Sequence, residues 1–326
     1  MDEISRTSWF PSAFGKGTIL LDYKDLRYNP CDDLIFPSVI RASDYFSRPL
    51  AKYYMYYAPH DGPGGVCLAC ADALEGPWRE YGHNPLIGNV WPPHYSVHHV
   101  SSPYAVFIPE ASRLFLYYHG DNDVTRYATS EDGLTFEYGG VAVDRDLFET
   151  ATGTPSRVFY AKVFPHESPS GLGRYAMLFL ASKYPPPGTP YTQGLYIAWS
   201  HDARTWQVDP GPILEKTDLG PNEYACSPFL FSWRGRHHVL YHRDRSDANV
   251  AGGGLTEICR VEVDADLRRT GPQELVCRRQ VFGENNERIS DPCVFVKGDD
   301  LYLFASVGPR LNQRIGLTKA PIQNLR

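Results

Sequence analysis

The chain lacks the features that mark nucleic-acid-binding, membrane-spanning and secreted proteins. It contains no run of lysine and arginine, and its net charge of −6 argues against a nucleic-acid partner. No apolar run approaches the roughly 18 residues that a membrane-spanning helix needs, so no membrane partner is predicted. The first residues, MDEISRTSWF, lack a basic segment followed by an apolar one. We therefore predict no secretory signal and expect a cytoplasmic location.

Cysteine is too irregularly placed to indicate a disulfide framework or a metal site. The seven cysteines are an odd number, so we expect reduced and mostly buried thiols. Cys67 and Cys70 form a CxxC motif, but it lies in the predicted strand VCLACA, and no second pair follows at zinc-site spacing. Histidines around a propeller axis could hold iron or zinc, yet they are missing from two of the repeats described below. No metal ligand is assigned.

Aromatic residues, glycine and proline are abundant. The chain has 22 Tyr, 16 Phe and 6 Trp, which favour strands. Its 28 Gly and 27 Pro are spread along the sequence as turn residues. No change in composition marks an internal boundary. We predict one domain over residues 1–326, with residues 1–31 as an N-terminal arm or a closing strand, and nothing indicates an oligomeric state.

A hairpin pattern of two short apolar runs around a turn occurs five times. The clearest copy is NEYACSPFLFSWRGRHHVLYH at residues 222–242, and the others begin at Phe36, Ser102, Tyr160 and Ser290. The copies are spaced by roughly 40–70 residues, as propeller blades are. Each continues into one or two further strands. The repeat predicts an all-β fold, a five-bladed propeller of mostly antiparallel, four-stranded blades.

A polar turn that closes on an aromatic residue follows the third strand of three repeats. These turns are ADALEGPW at 71–78, TSEDGLTF at 129–136 and SHDARTW at 200–206. We interpret them as structural turns whose aromatic residue packs under the neighbouring hairpin.

Taken together, the order of proline, apolar strand, aromatic strand and closing turn resembles the five-bladed glycoside hydrolases. These are family 43 and the related families 32, 62, 68, 117 and 130, and the resemblance covers residues 32–321. It implies a glycosidase whose partner is a small carbohydrate. It implies no cofactor, although a structural Ca²⁺ on the propeller axis, as family 43 proteins often have, is left open.

The acids that family 43 enzymes share are not matched at their own positions. The resemblance implies an Asp-Pro pair in the first blade, an Asp in the second and a later Glu-x-Pro. This chain has Phe36-Pro37, Tyr104 and Cys226-Ser227-Pro228 there, and its only Asp-Pro pair is Asp291-Pro292. We expect displaced acids, namely Asp32 or Asp33, Glu223 and Asp291, or histidines to take over, as family 117 is similar in using a histidine as its acid.

Antiparallel pairing should bring the start of each first strand and the end of each second strand to one mouth of the propeller. Alignment of the first strands gives a column of Phe36, Pro103, Tyr160, Ser227 and Asp291. Four residues upstream, a second column reads Asp32, His99, Ser156, Glu223 and Glu287. The returning strand ends contribute His60, His119 and His242. The mouth therefore collects carboxylates, histidines and aromatic residues.

Glycoside hydrolysis needs a proton donor and a nucleophile or base, and histidine is suited to acid–base work near neutrality. We predict Glu223 or His99 as general acid, with Asp291 and Asp32 as base or pKa modulator. Trp91 is a candidate platform for a sugar face, and Arg243 a ligand for hydroxyls or a sugar carboxylate. The remaining predicted substrate-binding residues are His98, Tyr104, Tyr160, His242 and Glu287.

Two alternatives to a hydrolase remain open. One is a uronate or polysaccharide lyase, in which His99 abstracts a proton and Tyr104 or Tyr160 donates one. The other is a sugar-binding propeller without catalytic activity, which the missing acids would favour.

Overall fold

The repeated hairpins form the inner parts of five sheets. The computed structural model describes residues 14–183, 192–245 and 254–322. It contains five four-stranded antiparallel sheets, and their innermost strands contact one another in a ring. The predicted all-β, five-bladed propeller is confirmed. No helix in the described part of the chain is long and apolar enough to cross a membrane.

The strands follow one another blade by blade, from the axis outwards. A single strand, β1 (Thr18–Leu21), comes first. The first blade contains β2 (Ile35–Ile40), β3 (Tyr53–Ala58), β4 (Cys67–Ala71) and β5 (Arg79–Glu80), and a small hairpin of β6 (Val90–Trp91) and β7 (Tyr95–Ser96) follows it. The second blade contains β8 (Val100–Ile108), β9 (Arg113–Gly120), β10 (Val124–Ser130) and β11 (Glu137–Asp144). The helix α1 (Arg145–Thr152) leads to the third blade.

The remaining blades have the same order. The third contains β12 (Ser156–Pro165), β13 (Tyr175–Lys183), β14 (Thr192–Ser200) and β15 (Gln207–Val208). The fourth contains β16 (Glu223–Trp233), β17 (Arg236–Arg245), β18 (Leu255–Val263) and β19 (Arg269–Cys277). The fifth contains β20 (Ile289–Lys297), β21 (Asp300–Val307) and β22 (Arg314–Pro321). Short 3₁₀ helices lie at Tyr23–Asp25, Ala42–Asp44, Pro109–Ala111, Lys216–Asp218 and Arg279–Phe282.

The fifth blade takes its outermost strand from the N-terminal part of the chain. β1 pairs antiparallel with β22, with Thr18 opposite Leu317 and Ile19 opposite Gly316. The strand order in this sheet is β1-β22-β21-β20. Pairing between the two ends of the chain therefore closes the ring of blades.

The aromatic residues that end the polar turns pack on the preceding blade, as predicted. The ring pairs are Trp78–Phe304 at 6.3 Å, Phe136–Tyr56 at 6.1 Å and Trp206–Tyr117 at 6.0 Å, all edge-to-face. Tyr56 also donates a hydrogen bond of 2.8 Å to the Gly133 carbonyl of the turn. Edge-to-face pairs of this kind add stabilisation to that of area burial. These turns join one blade to the next.

Every innermost strand has the same bulge near its start. One residue in each adopts the left-handed conformation and the strand register shifts there; these residues are Phe36, Ser102, Tyr160, Ser227 and Asp291, with φ between 54° and 58°. A bulge of this kind re-aims the side chain that it carries. The sequence alignment was wrong in the second blade, where it placed Pro103 in this column. The proline ring holds φ at about −65°, so the left-handed residue has to be Ser102.

Two residues after each bulge, side chains from all five blades fill the axis of the propeller. They are Ser38, Tyr104, Lys162, Phe229 and Cys293. The rings of Tyr104 and Phe229 are 6.2 Å apart although they belong to the second and fourth blades, and Lys162 Nζ lies 5.5 Å from the Phe229 ring. Tyr104 is thus buried in the axial core, which is a structural position and not the predicted place in a sugar site.

Candidate active site

A pocket of about 310 Å³ lies at the end of the axis where the innermost strands begin. Phe36, Tyr160 and Asp291 line it with side chains from three of the bulges. The rings of Phe36 and Tyr160 are 4.7 Å apart and form part of its wall. Small-molecule sites span roughly 300–1,000 Å³, so this pocket suits a small ligand such as a single sugar ring.

Asp291 is held firmly in this pocket. Of the described residues that line it, Asp291 alone carries a carboxylate. Its Oδ2 accepts a hydrogen bond of 2.8 Å from Ser306 Oγ, and its backbone N–H donates one of 3.2 Å to His242 Nδ1. Only 4% of Asp291 and 6% of His242 are exposed. These contacts fix the carboxylate in one position.

His242 is a neutral partner of Asp291. Burial lowers its pKa to about 4, and the nearby charges of Asp291, Arg288, Asp244 and Lys162 act in opposite directions. Because Nδ1 accepts the N–H of Asp291, Nε2 carries the proton of the neutral ring. His242 therefore serves as a hydrogen-bonding wall of the pocket near neutral pH.

Lys162 lies beneath the pocket and was not among the predicted site residues. Its Nζ donates hydrogen bonds of 3.2 Å to Ser227 Oγ and 2.9 Å to the Pro292 carbonyl. Burial lowers the pKa of Lys162 to about 8, against the opposing effect of the Asp291 charge. The ammonium group is thus mostly protonated near neutrality and balances Asp291. Its signal in the sequence is a lysine within the apolar strand YAKVF.

His60 lines the pocket from the first blade, and Asp33 is its buried carboxylate partner outside the lining. His60 Nδ1 lies 3.1 Å from Asp33 Oδ2, and Asp33 is only 1% exposed. Asp33 Oδ1 accepts the backbone N–H of Gln313 at 2.5 Å, so the carboxylate is itself fixed. With Nδ1 donating to Asp33, Nε2 is the nitrogen that can exchange a proton with a ligand. This is the geometry of an oriented acid–base histidine.

The fold is similar to that of solved carbohydrate-active proteins, although no protein-family model matches the sequence and no curated protein matches it significantly. A glycoside hydrolase has a TM-score of 0.68 at 13% identity, over 95% of this chain and 92% of that one. A thermostable family-43 glycoside hydrolase has a TM-score of 0.61 at 13% identity, over 89% and 90% of the two chains. An α-L-arabinofuranosidase from Podospora anserina, in complex with cellotriose, has a TM-score of 0.62 at 11% identity, over 97% and 100%. The chain has the fold of the five-bladed glycoside hydrolases.

The resemblance inferred from the sequence is thereby confirmed for the architecture. The position of the pocket carboxylate differs from what that resemblance implies. The resemblance implies an Asp in the first blade, where Phe36 stands at the left-handed position, whereas the carboxylate here is Asp291 in the fifth blade. Of the residues predicted for the site, the pocket brings together Asp291, Tyr160 and His242.

Asp32 and His99 lie outside the pocket lining. Asp32 is exposed and accepts a hydrogen bond of 2.6 Å from Asn29 Nδ2, while the neighbouring Asp33 is the buried acid. His99 is separated from the pocket by His119 and Tyr160. Its Nε2 is 3.3 Å from His119 Nε2, and the centre of the His119 ring is 5.5 Å from the centre of the Tyr160 ring. Burial lowers the pKa of His99, so its ring is neutral near neutral pH.

The second-blade loop holds His98 and Trp91 away from the axis. His98 is exposed, and its backbone N–H donates to the Asp121 carboxylate at 2.9 Å. Trp91 lies on β6 and packs against Tyr138 on β11, the outermost strand of the second blade. The centres of the two rings are 5.9 Å apart. Neither lines the pocket. No group of His, Cys, Asp or Glu within residues 14–183, 192–245 and 254–322 could hold a metal ion.

Glu223 and Arg243 belong to an ion-pair cluster on the fourth blade. Burial raises the pKa of Glu223, but a 2.8 Å bond from Arg245 Nε, a bond from the Gly220 N–H and nearby charges bring it below its usual value. An ionised carboxylate of this kind is poorly suited to be a general acid. Arg243 lies 3.8 Å from Glu223 and 4.0 Å from Glu257. Glu287 is exposed outside the pocket lining.

The sequence interpretation also missed three arginines and two glutamines. Arg157, Arg288, Arg310, Gln193 and Gln313 line the pocket. Arg157 and Arg288 each stand three residues before a left-handed residue, and so does Asp33. Side chains alternate between the two faces of a strand, so an offset of three shares its face with the residue just before the bulge. The predicted offset of four reached the other face in four blades. In the second blade His99 is three residues before Ser102 and still lies outside the lining, behind His119.

Proposed function

We propose that the protein is a glycosidase that binds a small carbohydrate in the axial pocket. Asp291 is its reacting carboxylate, and His60 is its proton donor and acceptor. The observation that carries the proposal is the pairing of one buried, fixed carboxylate with one carboxylate-oriented histidine around a pocket of sugar size. The fold shared with solved glycoside hydrolases supports the same class of reaction.

A histidine takes the place of a second carboxylate in this scheme. Most glycosidases place two carboxyl groups around the scissile bond, one as proton donor and one as nucleophile or base. The described lining of this pocket has Asp291 alone. His60, oriented by Asp33, supplies the group that can donate and later accept a proton. Protonated His60 Nε2 gives its proton to the leaving oxygen as the glycosidic bond breaks, while Asp291 stabilises the positive charge that develops on the sugar. A water molecule then bonds to the anomeric carbon and gives a proton back to His60.

The test is turnover of a panel of aryl glycosides and oligosaccharides that includes furanosides and uronides. With a substrate in hand, Asp291→Asn and His60→Gln should each lower kcat by about 100-fold or more, the usual scale for a lost acid or base. His201→Gln is the matched control, because His201 is exposed on the turn after β14, away from the pocket. Unchanged kcat in Asp291→Asn would refute the proposal. Tight sugar binding without any product would instead support a non-catalytic sugar-binding propeller.

A lyase is the second candidate, and a specific observation favours it. Tyr160, His60 and three arginines line the same pocket. In β-elimination from a uronate, a base removes the proton beside the carboxylate, cations stabilise the resulting charge, and an acid protonates the leaving oxygen. His60 and Tyr160 fit the two proton-transfer roles. Mass spectrometry separates the candidates, because hydrolysis adds one water and elimination yields an unsaturated product that absorbs in the near ultraviolet.

A further inference from the structure

Cationic side chains dominate the pocket of an acidic protein. The whole chain has a net charge of −6, yet Arg157, Arg288 and Arg310 line the pocket together with a single carboxylate, Asp291. A fourth cation, Lys162, lies directly beneath. The guanidinium groups come from the third blade, the fifth blade and the loop between β21 and β22.

The three arginines differ in how their charge is balanced. Arg288 is 5% exposed, and both of its terminal nitrogens lie 3.3 Å from Asp244 Oδ2. Arg157 Nε is 3.5 Å from Asp123 Oδ1, and about half of the arginine side chain is exposed. Neither acid lines the pocket. Arg310 is exposed and forms no ion pair with any acid that the structure describes. One guanidinium is thus available to a ligand.

The negative charge of Asp291 does not oppose an anionic ligand strongly. The positive charge of Lys162 acts on Asp291 and offsets its negative charge. The other groups beside the carboxylate, Ser306 and His242, are neutral. Arginine presents a planar fork of N–H donors that matches a carboxylate in a bidentate way. A neutral sugar can accept arginine N–H groups through its hydroxyl oxygens, but it carries no negative charge to balance these cations.

We infer that the pocket takes a carbohydrate that carries a carboxylate, a uronic acid residue, and that Arg310 binds this carboxylate. The inference rests on the proposed function, because it names the substrate class of the same pocket. It applies equally to hydrolysis and to elimination, since both would begin with the uronate carboxylate bound by Arg310.

Isothermal titration calorimetry tests the inference without any need for turnover. Glucuronate and galacturonate are compared with glucose and galactose, which differ from them only at the carboxylate carbon. Each uronate should bind at least 10-fold more tightly than its neutral partner, and the difference should shrink at high salt because ions screen exposed charges. Arg310→Ala should bring the affinity for each uronate down to that of its neutral partner, whereas Arg310→Lys should keep part of the preference. Arg48→Ala, an exposed arginine between β2 and β3 at the opposite end of the axis, is the control.

The possible results separate this inference from the proposed function. Equal affinity for uronates and neutral sugars, no binding of either, or tighter binding of a sulfated sugar would overturn the inference. Cleavage of neutral glycosides by both wild type and Arg310→Ala, with no preference for uronides, would overturn it while the glycosidase proposal stands. Binding of uronates that depends on Arg310, without cleavage of any uronide, would support it while the glycosidase proposal fails.

Discussion

Replacement of His242 should make the stability of the protein less dependent on pH. His242 is buried, and its Nδ1 accepts the backbone N–H of Asp291. Burial lowers its pKa from 6.5 to about 4. In the variant His242→Gln, the side-chain oxygen can still accept this N–H, but the group no longer titrates.

The sign and size of the effect follow from proton linkage. Between pH 6.5 and about 4, the unfolded chain binds a proton at His242 that the folded protein does not. The wild type therefore loses stability as the pH falls through this window. At about 1.4 kcal/mol per pH unit, the loss from this residue is roughly 3 kcal/mol. Other buried histidines, such as His238, titrate in both proteins and cancel in the comparison.

Urea unfolding followed by tryptophan fluorescence, repeated from pH 7 to pH 4, measures the effect. The difference in unfolding free energy between the wild type and His242→Gln should fall by roughly 3 kcal/mol over this range. His201→Gln, at an exposed histidine, controls for a general effect of the substitution. If the wild type and His242→Gln have parallel pH profiles, the buried neutral state assigned to His242 is wrong.

Three further predictions concern the axis. Lys162→Met should lower the free energy of unfolding by about 3–5 kcal/mol, because it removes a buried positive charge that acts on Asp291 and leaves Ser227 Oγ and the Pro292 carbonyl without their donor. In urea unfolding the cost should be smaller in an Asp291→Asn background, and additive losses would contradict the pairing. Ser102→Val should lower the free energy of unfolding by roughly 1–2 kcal/mol, because valine is strained at the left-handed φ of 58°. Ser102→Gly should be tolerated, because glycine adopts this conformation freely. A thermal shift assay compares the two variants, and equal Tm values would argue against the bulge. Removal of divalent cations with EDTA should leave Tm unchanged, because Lys162, Tyr104 and Phe229 fill the axis where Ca²⁺ would need oxygen ligands; a loss of Tm that Ca²⁺ restores would contradict this.

The blades could be predicted from the sequence because their signals are local. Each hairpin has two apolar runs around a turn, and the polar turns ending at Trp78, Phe136 and Trp206 supply the contacts between blades. The register within the inner strands was harder to predict from the sequence. Proline cannot adopt a positive φ, so alignment on Pro37, Pro103, Pro228 and Pro292 would have placed Ser102 correctly. The third blade has Ala161 instead and lacks this marker.

The site was harder to predict because a bulge inserts one residue and thereby changes which face the following side chains occupy. Tyr104 illustrates the effect, since it stands two residues after Ser102 and is buried in the axis instead of lining the pocket. Glu223 illustrates a second cause, because its role depends on Arg245, a residue of the returning strand whose position the pattern of one strand does not specify.

The five bulges also explain how the carboxylate that we propose to react can stand in an unexpected blade. Each bulge places a side chain at an equivalent position around the axis, so the geometry of that position does not depend on which blade supplies it. The chemistry of that position does depend on the blade, because the neighbouring side chains differ from one blade to the next. Asp291 has Lys162 beneath it and His242 beside it, whereas Phe36 in the first blade packs against Tyr160. Moving the acid to Phe36 would therefore place a carboxylate against an aromatic ring, where desolvation would raise its pKa without a cation to balance it. The location of Lys162, more than the fold itself, makes the fifth blade the place for an ionised carboxylate in this protein.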